Sequence, residues 1–335
     1  MRVALVNPRK KIALIGSGEM GSRLLQGLLS VGSAAQAEAF DIVVVDPNPQ
    51  SLAVARRRAD DIFAAARPEV VAHRVAYRAS IAGIDADLDL AILACTSRHR
   101  HGALRDLLAA ATPRAILLEK FLFDRAEHYA DAGTWLADRG IPAWVHTPRG
   151  YWPAYARIRG ILAEQRPDAI TVTGTNFSLA SNCVHFFDLE RYLSGSSVDR
   201  VECAPGLAAA DNKRVGYREV FGTLTGWVAG RQAIVVTCDA GAAPRVVVDV
   251  SGNGQRMVYE ETSALLTIFD AAGSIVAEET HRAVMASANT AIFADLLAGQ
   301  APRLPTYVEA ATTHLAVIDA LKGTLADASG ALPVT

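Results

Sequence analysis

Two side chains in this sequence are placed to move a proton. Lys120 ends the apolar run AILLEK, residues 115–120. An amine at the end of a buried strand stands partly out of water, and desolvation brings an ammonium towards neutrality, where it serves as a general acid or base. The same spacing equally suits a solvated lysine paired with Glu119. His185 lies in NCVHFFDLERY, residues 182–192, with Asp188 and Tyr192 three and seven positions on. Those positions share a helix face. A histidine there moves a proton while Asp188 holds its ring or binds a hydroxyl, although the run also fits a core histidine beside an exposed carboxylate.

A second constellation is suited to phosphate. The run IALIGSGEMG, residues 12–21, is a short strand that breaks into Gly16, Ser17, Gly18, Glu19, Met20 and Gly21 and leads into the helical pattern SRLLQGLL. The first glycine makes the turn, the second lets backbone approach a pyrophosphate, and the third lets helix and strand pack closely. The free N–H groups at the helix start then face the phosphates. The next strand, DIVVV (41–45), ends at Asp46, where a ribose 2′-hydroxyl would sit. A nicotinamide dinucleotide is expected, and NAD rather than NADP, because a carboxylate binds the ribose diol and repels a 2′-phosphate. Against this, the glycines could be incidental and Asp46-Pro47 only a turn.

The elements needed to hold these residues follow from periodicity. Helix 51–66, strand 70–77, the unbroken apolar strand 88–94, helix 102–111, strand 115–118, helix 125–138 and strand 143–146 alternate, as in a doubly wound parallel sheet covered on both faces. Ligands of such sheets bind beyond the carboxyl ends of the strands, which singles out Thr96 and Ser97, Glu119 and Lys120, and the segment after His146. Arg149, Tyr151 and Trp152 in that segment are candidate substrate contacts, Arg149 for a carboxylate or else as a plain surface charge. From about Tyr151 the pattern changes to a helix to 165, a strand at 169–174, a helical stretch 185–193, strands at 217–228, 232–239, 245–250, 255–260 and 264–269, and helices at 290–297 and 307–321. The fold class is therefore an N-terminal Rossmann domain, residues 1–148, and a C-terminal α+β domain with an open, mainly antiparallel sheet, residues 149–335.

Composition narrows the partners. With 33 basic against 35 acidic side chains in 335 residues, nothing marks a nucleic-acid or anionic-membrane surface. No apolar run has the length of a membrane span and the apolar stretch in MRVALVNPRKK is too short for a signal peptide, so a cytoplasmic protein with a small-molecule substrate is expected. Cys95, Cys183, Cys203 and Cys238 lack metal or disulfide spacing, and no metal is expected. The basic cluster 98–101 reads as solvated surface, except His101.

GSGEMG, then EKF, then HFFDLERYLSG, in that order along nearly the whole chain, resemble the Gfo/Idh/MocA family of NAD(P)-dependent oxidoreductases. The resemblance implies a catalytic lysine at Lys120, in a Glu-Lys-Pro motif whose proline is Phe121 here, and a catalytic histidine at His185. It also makes Thr96 to His101 the loop from the fourth strand into a helix beside the cofactor, and implies a homodimer or homotetramer. One departure stands out: Ser181 occupies the position of the family's aspartate, four residues before the histidine. Lys120 and His185 would then manage the proton alone, or Asn182, Asn176 or Tyr151 would orient the substrate instead. The reaction expected is hydride transfer at a secondary alcohol of a sugar, sugar acid, sugar nucleotide or cyclitol. The alternatives are a retained NAD used without net redox, in an epimerase, lyase or glycosidase, and a non-catalytic metabolite sensor.

Overall fold

The computed structural model describes residues 9–31, 39–65 and 73–335. The start of the expected strand at 70–72, the last residue of the expected helix 51–66, and residues 1–8 of the N-terminal stretch lie outside them. Chain order begins β1 (Lys10–Ile15), α1 (Glu19–Val31), β2 (Phe40–Val45), α2 (Pro49–Ala65), β3 (Arg74–Arg78), β4 (Asp87–Leu88), β5 (Leu90–Leu93), α3 (Ser97–Ala110), β6 (Thr112–Pro113), β7 (Ile116–Glu119), α4 (Glu127–Asp138) and β8 (Ala143–His146). Six of these strands form one sheet in the order β3-β2-β1-β5-β7-β8. Ile12, Leu14, Leu90, Ile92, Ile116 and Leu118 in its central strands have no measurable exposure beyond 1%, as a sheet covered on both faces requires. Strand order reverses at β1, between β2 and β5, and that is where α/β sheets of this kind hold ligands.

Three expectations for this region are corrected. The apolar strand 88–94 is interrupted at Asp89, whose backbone N–H donates to Lys11 O at 2.8 Å and whose carboxylate accepts the Lys11 N–H at 2.9 Å. Its first residues form the short β4, which pairs with β6 instead of the main sheet. The helix expected from 102 begins at Ser97, because Thr96 O already accepts the N–H groups of His99 and Arg100, each at 3.0 Å. Arg100 is consequently not solvated surface: it is 1% exposed and its guanidinium donates to Cys95 O.

A 3₁₀ turn (Pro148–Tyr151) precedes α5 (Pro153–Leu162), β9 (Ala169–Thr175) and α6 (Leu179–Ser194). The strands β10 (Arg200–Cys203), β11 (Ala208–Asp211), β12 (Arg218–Val228), β13 (Arg231–Asp239), β14 (Arg245–Gly252), β15 (Gln255–Glu260), β16 (Leu265–Phe269) and β17 (Ile275–Thr280) follow, then α7 (Met285–Leu297) and α8 (Tyr307–Leu325). β9 to β17 form a nine-stranded sheet, β10-β12-β13-β9-β14-β15-β16-β17, with β11 added to β12. Its pairings are antiparallel except β13 with β9. Strict alternation along β14 buries Val246, Val248 and Val250 on one face. α6 packs on β12 and β13, and Gly226 permits the approach, since a Cβ there would lie 3.0 Å from the Phe187 ring. β10, β11 and β17 are additional to the strands expected from periodicity; β11 and β17 bury no residue and β10 only Val201, so they show no apolar alternation of the kind a half-buried strand carries.

The chain divides into two compact units. Unit 1 comprises the described residues of Met1–Glu119, Ala132–Trp144 and Met285–Pro302; unit 2 comprises Lys120–Asp131, Val145–Val284 and Arg303–Thr335. Each unit is thus assembled from three separate lengths of chain. α7 returns to pack on α1 in unit 1, where Thr290 Oγ1 donates to Gly27 O at 3.1 Å.

Candidate active site

In unit 1 the glycine turn is built as its residue types demand. Gly16 has φ +90°, a left-handed conformation that side-chain-bearing residues rarely adopt, and an added Cβ would lie 2.4 Å from Cys95 N. A Cβ on Gly21 would lie 2.0 Å from Gly16 O, whereas a Cβ on Gly18 would meet nothing within 4 Å. The middle glycine therefore faces open space while its two partners are wedged against backbone. Asp46 sits at the end of β2, 9% exposed; its Oδ2 accepts the Ser17 N–H at 2.7 Å and its Oδ1 the Asn48 N–H at 2.9 Å. This carboxylate ties the glycine turn to β2. Glu19 is turned outward and paired with Arg23 and Arg58, each at 2.7 Å, and these arginines hold its carboxyl below the usual range. Thr96 caps the start of α3 without a side-chain capping bond, and its buried Oγ1 has no partner among the described residues. Ser97 is fully buried, Glu119 is 4% exposed at the end of β7, and the His101 ring stacks on Trp135 with centroids 4.8 Å apart.

Unit 2 gathers the groups expected to move protons. Lys120 Nζ donates to Ser181 O in the first turn of α6 at 3.0 Å, so it does not lie free in solvent. His185, one turn further on, is half-buried, and its Nδ1 has no partner among the described residues. Burial first, then the charges of Lys120, Arg149, His146 and His314, push this imidazole well below the ordinary histidine range. Its surroundings thus favour the neutral ring. Asp188 does not hold it: that carboxylate accepts the Thr147 hydroxyl at 2.7 Å and Arg191 Nε at 2.6 Å. Burial raises the Asp188 carboxyl, against the pull of Arg191.

Most of the other expected substrate contacts are engaged within the fold. Arg149 makes a two-point pair with Glu261, at 2.9 and 3.1 Å, that also includes the Tyr155 hydroxyl at 2.6 Å; its guanidinium lies 4.1 Å from the Phe186 ring centroid. A substrate carboxylate would have to displace Glu261. The Tyr151 hydroxyl accepts the Arg303 N–H at 3.0 Å, and the Asn176 amide clasps the backbone of Gly241. Asn182 Nδ2 donates to Phe177 O at 2.6 Å, within the same turn of chain that enters α6. These side chains thus have hydrogen-bond partners within unit 2. Among the described residues no group of three or more His, Cys, Asp or Glu is arranged for a metal ion, and no helix is long and apolar enough to cross a membrane.

One residue near Lys120 escaped the sequence reading. Glu219, the second residue of β12, is 5% exposed and accepts hydrogen bonds from both the N–H and the hydroxyl of Ser181. A charge at a strand start reads as solvated, and a partner 38 positions away leaves no spacing signal.

Residues 11–118 match the family model described as NADP oxidoreductase, coenzyme F420-dependent. No curated protein matches the chain by sequence. Among solved structures, UDP-N-acetylglucosamine 3-dehydrogenase GnnA from Acidithiobacillus ferrooxidans superposes with a TM-score of 0.62 at 15% identity, over 93% of this chain and 97% of that one. The dehydrogenase MviM from Clostridium difficile gives 0.67 at 12% identity, over 95% and 100%. A super-repressor mutant of Gal80p from Saccharomyces cerevisiae gives 0.69 at 12% identity, over 94% and 95%. A parallel Rossmann sheet, a nine-stranded mainly antiparallel sheet and full-length superposition on these structures together give this chain the fold of the Gfo/Idh/MocA-type oxidoreductases.

Proposed function

We propose that this protein is an NAD-dependent dehydrogenase acting on a secondary alcohol, or its ketone, in a small sugar-like molecule. The observation that carries the proposal is the glycine turn, where Gly16 and Gly21 are fixed by backbone contacts and Gly18 opens onto free space beside Asp46. The unpartnered Oγ1 of Thr96, beyond the next strand of the same sheet, adds a polar group with spare capacity. Gly16 to Gly21, with the first N–H groups of α1, would hold the pyrophosphate, and Asp46 the adenosine ribose. The dinucleotide, when bound, supplies the hydride acceptor or donor.

The proton belongs to unit 2. In the oxidising direction the amine of Lys120 takes the hydroxyl proton as the hydride leaves carbon; in the reverse direction its ammonium returns the proton to the forming alkoxide. The Ser181 carbonyl fixes where that amine points. His185, kept neutral, offers its vacant Nδ1 to a substrate hydroxyl. That GnnA is a UDP-N-acetylglucosamine 3-dehydrogenase supports a sugar-like substrate, and that MviM is a dehydrogenase supports the reaction type.

The test is a fluorescence titration with NADH and NADPH, followed by a screen of sugars, sugar acids, sugar nucleotides and cyclitols for reduction of NAD. Tighter binding of NADH and turnover of one substrate class are expected, with Lys120→Ala lowering kcat by about 100-fold or more. Tighter binding of NADPH would overturn the role given to Asp46, and an unchanged kcat in the lysine variant the role given to Lys120.

A further inference from the structure

Ser181, in the first turn of α6, is bound by a carboxylate from another element. Glu219 Oε2 accepts the Ser181 backbone N–H at 3.2 Å, and Glu219 Oε1 accepts both the Ser181 hydroxyl and Asn212 Nδ2, the latter at 2.9 Å. On its other side, Ser181 O accepts Lys120 Nζ at 3.0 Å. One residue of α6 is thus gripped by an anion from β12 and a cation from the segment after β7. Glu219 is 5% exposed, and a buried carboxylate persists only with donors and a countercharge. The donors are Ser181 and Asn212, and Lys120 is a cation that acts on it; Glu219 also acts on the thiols of Cys183 on α6 and Cys238 on β13, and Lys120 on Cys183 and on the His185 ring.

From this arrangement we infer that Glu219 is a positioning residue for Lys120: acting across Ser181, it brings from β12 a negative charge that the first turn of α6 lacks. Its carboxylate favours the ammonium form of Lys120, and its two bonds to Ser181 hold the carbonyl that orients the amine. Burial pushes the Glu219 carboxyl above its usual range, while Ser181, Lys120 and Asn212 draw it back. This assignment rests on the dehydrogenase reading for its purpose, but not for its test.

The test is a pH titration of Lys120 followed by NMR of protein labelled at lysine 13Cε, which needs neither cofactor nor substrate. Removing a nearby negative charge makes an ammonium release its proton more readily, so Glu219→Gln should move the Lys120 midpoint about one pH unit lower and leave Lys213 and Lys322 where they were. Adding Ser181→Asp to that variant restores a carboxylate beside the lysine and should bring the midpoint back. An unmoved midpoint in the single variant, or an unrestored one in the double, overturns the assignment. If Glu219→Gln does not fold, the reciprocal experiment decides: Lys120→Met should raise the pH at which the Glu219 carboxyl titrates, and no rise refutes the coupling. In turnover, Glu219→Gln should lower kcat with KM little changed and shift the Lys120 limb of the pH profile in step with the NMR midpoint. A shifted midpoint in a protein that turns over no substrate would refute the dehydrogenase reading and leave the Glu219–Lys120 coupling standing.

Discussion

Arg149 shows what residue type alone does not reveal. After Pro148 it reads as a ready grip for a substrate carboxylate, yet its fork is already closed on Glu261 and its plane lies on Phe186 and Trp152. Removing one partner from a buried ion pair strands the other, at a cost of about 3–5 kcal/mol. Arg149→Met should therefore cause a large loss of unfolding free energy in urea; a raised KM with unaltered stability would instead make Arg149 a substrate contact. His185 gives a second prediction at this scale. The fold keeps its ring neutral, below the ordinary histidine value, whereas the unfolded chain protonates it near pH 6.5. Its folded affinity for the proton is depressed, so stability is lost as pH falls through and below about 6.5. Between pH 7.5 and 5.5 the native protein should lose more stability than His185→Gln. Equal losses would show that His185 is not the group being titrated. Lys120 and His185 stand out in the sequence as candidates because each ends or punctuates an apolar run. Glu219 was not, because its role exists only through contact with Ser181.

At the scale of elements, the glycine turn was fully legible and its geometry explains why. Its three glycines answer to local sterics, with Gly16 needing φ +90° and Gly21 leaving no room for a Cβ against Gly16 O. Gly21→Ala must push α1 away from the turn, and overpacking of this kind costs about 1–3 kcal/mol. The expected outcome is weaker NADH binding together with a lower melting temperature; Gly18→Ala, with open space around its Cβ, should weaken binding with little loss of melting temperature. If Gly21→Ala binds NADH as tightly as the native protein, the turn does not carry the pyrophosphate. α6 was only half legible. Its periodicity suggested a helix from 185, but Leu179, Ala180, Cys183, Val184, Phe186 and Phe187 are all buried, so the helix has an apolar surface too wide to display one stripe and begins at Leu179. Likewise α3 gains its first turn from Thr96 O, a backbone bond that residue types do not announce.

For the whole molecule, ligand binding to the native state alone should raise the stability of the entire cooperative transition. NADH at about one hundred times its Kd corresponds to about 2.7 kcal/mol, so the melting temperature of the full chain should rise by a few degrees with NADH, and by less with NADPH at the same concentration. No rise with either would remove the dinucleotide from the proposal. The sequence by itself determined the alternation of strand and helix, the glycine turn with Asp46, and the change to strand-rich pattern after Tyr151. These are local quantities, set by periodicity and backbone sterics within a few residues. Only the tertiary structure decided that 120–131 packs with the second unit and 285–302 with the first, that Arg149, Asp188, Tyr151 and Asn176 are occupied within the fold, and that Glu219 stands beside Ser181. Those outcomes depend on partners from about forty to more than one hundred and fifty positions away, which burial and hydrogen-bond satisfaction select and no spacing along the chain records.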